Sequence, residues 1–357
     1  MKGIRPVQKF KPTWCESLSD YITALAWSPA GEYLAAAAAS GEVILLHSQT
    51  FEITVLQTEA TNSVDCLGFA HDGQFLAVGG EGVKVWQLTN RTPTLLTTLA
   101  SSSPWIEQLS WHPATHQLAF SVGKSVEIWD LHQQQHLKTL DFATSSVLAL
   151  AWSNHGQSLA IGGYQGIQVW DTQHWDPTPK LLESRSASIA IAWSPDHRFI
   201  AHGNLDHCLI VVEWEATEFP WLMGGFPGKV RQLAWSDLCT SVGVPLLATC
   251  SGTAVVVWER DADENVGWNG RLLGNHPGTV QAIAFQPGSL LLASAALEGW
   301  VALWYGGKQL MQVLDTGAEG FSCLAWHPRG HQLAAGGRDG ELVIWSQSQT
   351  GKGFGRG

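Results

Sequence analysis

The sequence predicts an all-β fold, a single β-propeller of four-stranded antiparallel blades. Three observations point to it. An aromatic followed by a polar turn and an aliphatic–Ala pair recurs eight times. The copies are spaced 41 or 42 residues apart, except for one interval of 50. No segment sustains the 3.6-residue apolar period of a helix. A 40–45-residue unit of four short strands is the signature of a propeller blade.

The leading aromatics are Trp27, Phe69, Trp111, Trp152, Trp193, Trp235, Phe285 and Trp326. Seven residues on, in seven copies, comes the pair that begins at Leu34, Leu76, Leu118, Leu159, Ile200, Leu292 or Leu333; the sixth copy delays it to Leu247. A second apolar run then ends in Trp86, Trp129, Trp170, Trp214, Trp258, Trp304 or Trp345, with Leu46 in the first slot. The two series account for 13 of the 19 Trp. Flat indoles suit a layer between stacked sheets, and small Ala and Gly let the sheets approach. Eight complete units argue for eight blades. Seven is the alternative if the first copy, which lacks its second Trp, is an extra sheet.

Each unit supplies strands a, b and c, and the following stretch supplies the outer strand d. The d candidates are 51–58, 94–100, 135–142, 179–185, 219–225, 267–274 and 309–315. The last unit ends at Trp345 with a Gly-rich tail behind it. Its d strand is therefore expected from residues 6–14, joining the two ends of the chain. Residues 1–349 read as one domain and 350–357 as a flexible tail.

With these residues in view, the sequence resembles the WD-repeat propeller family, and a stand-alone bacterial-type member of it. The naming dipeptide stands at Trp129–Asp130 and Trp170–Asp171. The resemblance implies a protein-binding ring; the buried His–Ser/Thr–Asp–Trp hydrogen-bond set frequent in that family is nearly absent here, with one partial version that could join His276, Ser294, Glu298 and Trp304. It also implies partner contacts on the face formed by the d–a and b–c loops, termed the top. Trp105, Trp300, Arg231 and Arg338 are the expected anchors there, with Glu81, Glu107, Asp206 and Asp339 as the polar rim.

Composition narrows function further. The net charge is −11, and the first twelve and last eight residues carry six cations and no acid, so the body is more acidic still. Such a surface repels phosphate backbones, and nucleic acid is not an expected partner. The N-terminus has basic residues with no apolar run behind them, unlike a signal peptide. The alanine-rich stretch at 34–40 is too short to span a bilayer. No membrane insertion is expected. Six cysteines without a CxxC pair suit free thiols in the cytoplasm. The protein is expected to be monomeric before it meets one or more protein partners.

The opposite, bottom face carries the a–b and c–d turns, and 11 of the 14 His fall in them. In blade three, His112 and His116 occupy one turn and His132 and His136 the other. Four imidazoles converging there could hold zinc. The plainer reading makes them polar turn residues, and no cofactor is otherwise implied. Blade six has long a–b and c–d turns on the same face, and per-repeat insertions often mark binding surfaces. Cys239, Asp261, Asp263 and Glu264 are the candidate contacts. Asp261, Asp263, Glu264 and Asn265 superficially resemble a calcium loop, but the Gly spacing is wrong and no terminal Glu follows. No nucleophile elbow, P-loop or dinucleotide fingerprint is present. A non-enzymatic interaction scaffold is the expected function, with metal-linked regulation through the His-rich face as the alternative.

Overall fold

The structure is a computed structural model. It describes residues 9–59, 62–88, 92–99, 105–175, 178–214, 216, 218–274 and 276–348. Among these, 32 strands form eight separate four-stranded antiparallel sheets, with no helix. Each sheet follows the order a–b–c–d. The a strands are Ile22–Trp27, Cys66–Phe69, Leu109–Trp111, Ala149–Trp152, Ser188–Trp193, Gln232–Cys239, Val280–Phe285 and Phe321–Trp326. Each touches the a strands of its two neighbours, and that of blade eight touches that of blade one, so the ring closes. The protein is an eight-bladed β-propeller. The first copy is a full blade: Leu46 fills the place of the missing Trp and is completely buried.

The b strands explain the alanines and glycines. Tyr33–Ala38, Phe75–Gly80 and Gln332–Gly337 are almost wholly buried because sheets cover both their faces. A Cβ on Gly336 would run into Ile22 of blade one. The c strands alternate instead. In Ser125–Asp130, Val126 and Ile128 are buried and the residues between them are partly exposed, the period-two pattern of a strand.

Outer strands are shorter than the sequence suggested. They run Ile53–Gln57, Thr94–Leu99, Gln135–Asp141, Lys180–Glu183, Trp221–Met223 and Trp268–Leu273, while Gln309–Asp315 agrees to the residue. The eighth outer strand comes from the N-terminus, but as Phe10–Ser17 rather than 6–14. Its register runs from Phe10 opposite Gln347 to Ser17 opposite Glu341. The register follows from burial: Phe10 is an apolar plug, only 1% exposed. Its amide donates to Gln312 Oε1 (3.0 Å) and its carbonyl accepts from Gln312 Nε2 (2.8 Å). Trp14 stacks on Phe51 of blade one, so both neighbouring blades grip the closing strand. Residues 6–8 of the expected closing strand, residue 100 at the end of the second expected outer strand, and the tail 350–357 lie outside the described residues.

Candidate functional site

The leading tryptophans explain how the rings of side chains lock neighbouring blades. The Trp111 Nε1–H donates to the Gly68 carbonyl (2.8 Å) in blade two. Trp152 reaches Ser110 (3.0 Å), Trp193 reaches Ala151 (3.3 Å), Trp235 reaches Ala192 (3.2 Å) and Trp326 reaches Ala284 (3.0 Å). Trp27 does the same to Ala325 (3.0 Å), across the seam between blade one and blade eight. The fixed seams give the loops at either end a rigid base.

On the top face, Trp105 and Glu81 form an isolated backbone bridge between blades three and two. Trp105 nevertheless stays 42% exposed, and Trp300 38%. Trp300 opens its c strand and pairs with Asp315. Arg231, Arg338, Glu107, Asp206 and Asp339 are exposed on the same face. The Arg338 amide is tied to the Gly320 carbonyl (2.9 Å), and Asp339 N donates to Glu341 Oε2 (3.2 Å). These residues are spread round the ring. Only Trp105 and Glu81 are drawn together directly.

Beneath this surface, the one partial hydrogen-bond set expected from the sequence forms around His276. His276 Nδ1 bonds Glu298, His276 Nε2 meets Ser294 Oγ (2.7 Å), and Trp304 Nε1 donates to Ser294 Oγ (2.9 Å). A second buried set went unseen in the sequence. Ser188 Oγ joins His202 Nδ1 (2.8 Å) and Asn204 Oδ1 (2.7 Å) in blade five. Burial lowers His202 to about 4, keeping it neutral. The period-two alternation that brings His202 and Asn204 to one face was the available signal.

Blade six builds its insertions from turns. Its a–b hairpin extends through the Cys239–Pro245 pair, and Cys239 is exposed. In the c–d loop, Asp261 Oδ1 accepts from Asp263 N (2.8 Å), and Asp263 Oδ1 accepts from Asn265 N (3.0 Å). The Asp263 amide, with Asn269 on the other Asp261 oxygen, holds Asp261 below the usual carboxylate range. The carboxylates thus face their own loop. Glu264 lines a groove of about 1040 Å³ between blades five and six, with Phe219, Trp221, Arg260 and Asp261. Arg260 lies over the Trp221 ring (4.8 Å), and Phe219 is 76% exposed.

The four blade-three histidines do not converge. His112 Nδ1 accepts from Ala114 N (3.1 Å) and Thr115 N (3.0 Å), while Nε2–H donates to Gly156 O (3.2 Å) of blade four. Both its ring nitrogens are spent. His112 stands where Ser28, Ser153 and Ser194 stand in other copies, and those hydroxyls also accept turn amides. His136 packs edge-on against Trp129, and its Nε2 meets Thr139 Oγ1 (3.1 Å). His116 turns toward blade two. His116 Nε2 lies 2.8 Å from Asp72 Oδ2, and its ring centre is 5.1 Å from His71 and 5.8 Å from His132. Burial alone would raise Asp72, but the Gln74 amide and His116 outweigh it and hold the carboxyl low.

The thiols offer no nucleophile among the buried positions. Burial pushes Cys250 up to about 12 and Cys323 up to about 11, and it raises Cys66 as well. All six cysteines are free. Among the described residues, no helix is long and apolar enough to cross a membrane.

Comparison with known proteins agrees with the repeat pattern. The WD domain, G-beta repeat model matches residues 8–45 and 308–346. Both matches open on an outer strand and run into the next blade, so the N-terminal strand is in phase with the others. The model for eukaryotic translation initiation factor eIF2A matches residues 80–204. Echinoderm microtubule-associated protein-like 2 of Mus musculus is 27% identical over 105 residues, 28% of this chain and 16% of that protein. The Rattus norvegicus protein is 27% identical over 136 residues, 37% of this chain and 21% of its own. The alignments thus span about a fifth or less of those relatives.

Sqt1 of Chaetomium thermophilum superposes with a TM-score of 0.79 at 16% identity, over 96% of this chain and all of that one. A second structure of it, bound to the N-terminus of the ribosomal protein L10, gives 0.79 at 18% identity over 92% and 97%. At such identities the likeness is one of fold. These relatives are animal and fungal, and they lend no support to a bacterial-type resemblance.

Proposed function

We propose that the chain is a non-enzymatic platform that holds a basic segment of a partner protein on its top face. The observation that carries this is the pair of exposed indoles, Trp105 and Trp300, fixed by backbone pairing on a rigid ring. Exposed aromatics that need no reordering are efficient anchors, because binding loses little conformational freedom. Acidic Glu81, Glu107, Asp206 and Asp339 outnumber Arg231 and Arg338 around them, on a protein of net charge −11. That field favours a basic partner and speeds its approach. The protein-bound Sqt1 structure lends the fold a precedent for holding a protein terminus. Six free thiols and the acidic surface suit a cytoplasmic monomer that waits for its partner.

Crosslinking in native cells, followed by affinity capture and mapping of the links, tests this reading. A stoichiometric partner linked at the top face is the expected result. Trp105→Ala and Trp300→Ala should each weaken capture at least about tenfold, the cost of losing a modest hot spot. Recovery of the protein alone, or links confined to the bottom face, would overturn it.

A further inference from the structure

We propose that His71, Asp72 and His116 form a zinc site that clamps blade two to blade three on the bottom face. His71 and Asp72 belong to the a–b turn of blade two, and His116 ends the corresponding turn of blade three. One ligand atom from each lies within 4.8 Å of the others. A tetrahedral zinc ion with ordinary nitrogen and oxygen bonds needs its ligand atoms about 3.4 Å apart. Movements of about 1 Å in side chains on surface turns reach that spacing.

The parts are prepared for an ion. Asp72 Oδ1 accepts the Gln74 amide (3.0 Å), which leaves Oδ2 facing His116. Phe75 packs against the His116 ring at 5.1 Å and limits its rotation. His71 Nδ1 is buried and has no hydrogen-bond partner among the described residues. An orphaned imidazole nitrogen is costly without a ligand. This distinguishes His71 from His112 and His327, whose two nitrogens are both engaged. His132 lies at the rim, exposed and 5.8 Å from His116 between ring centres, so the fourth position stays open to it or to water. Two imidazoles and one carboxylate are a donor set for a borderline divalent ion, for which calcium and magnesium are too hard.

The test uses the full chain, stripped with a chelator and titrated with zinc sulfate in a calorimeter. Saturation at one equivalent is expected, and cobalt in place of zinc should give the visible absorption of a tetrahedral site. His71→Ala and His116→Ala should each weaken binding more than about tenfold, the least expected even for a group behind a ligand. His112→Ala and His136→Ala should leave it unchanged. Circular dichroism checks folding, and Asp72→Asn serves as the deciding variant if an alanine variant misfolds. The proposal is overturned by the absence of saturable binding. It is equally overturned by full affinity in folded His116→Ala, or by a loss in His112→Ala or His136→Ala as large as in His116→Ala.

Discussion

The indole nitrogens of the leading tryptophans each tie one blade to the carbonyl of the blade before it. Two copies carry Phe instead, at 69 and 285, and do without that bond. Trp152→Phe should therefore keep the stacking and lose one hydrogen bond, about 1 kcal/mol in chemical denaturation. A loss of 3 kcal/mol or more would mean that the indole is doing something else. The recurrence of Trp was plain in the sequence; its hydrogen bond was not, because the acceptor lies about 42 residues away on another sheet. The blade-three histidines teach the converse. Their closeness in sequence suggested one cluster, yet His112 serves as a turn cap and His116 looks to a different blade.

The turn-capping histidines also set a pH response. His327 Nδ1 accepts the Arg329 amide (3.0 Å), and Nε2–H donates to Gly31 O (3.1 Å). A second proton on the ring would point at an N–H. Burial, with His331 close by, lowers His327 to about 4. The unfolded chain takes up that proton near ~6.5. The contribution is thus complete above about pH 6.5 and is lost progressively as the pH falls toward 4. Buried His202 adds to the loss over the same window. Melting followed between pH 7 and 4 should show the decline, and His327→Gln should make it shallower. Gly156→Ala probes the same device in blade three. Its φ is +71° and a Cβ would enter the His112 ring, so a loss of about 1–3 kcal/mol is expected in denaturant titration.

At the level of strands, the a, b and c series were legible because each has a buried face and a repeating apolar pattern. The outer strands were not, because they read as partly exposed residues such as Leu95, Leu181 and Leu222 with little periodic signal. The closing strand combines both cases. Its place in the sheet followed from counting, while its register depended on which residue, Phe10, could fill the gap beside blade seven. Phe10→Ala should cost about 3–5 kcal/mol by calorimetry, as for other buried phenylalanines. Lys11→Ala, on the exposed face of the same strand, should cost within about 0.5 kcal/mol.

Across the whole molecule, the ring joins its first described strand to its last, and the order of synthesis matters. Phe10 pairs with Gln347, so the earlier-made segment cannot find its place until the last strand of blade eight exists. At ordinary translation rates that interval is on the order of tens of seconds. During it the nascent chain carries an unpaired strand and an exposed apolar plug, because the blade that receives them has yet to be made. Contacts so distant along the chain are slow to form. A circular permutant that moves residues 9–17 behind residue 348 would shorten this wait and should refold faster and aggregate less in stopped-flow dilution. An unchanged rate would place the slow step elsewhere. The strand that completes the finished ring is, for a newborn chain, its longest period of vulnerability.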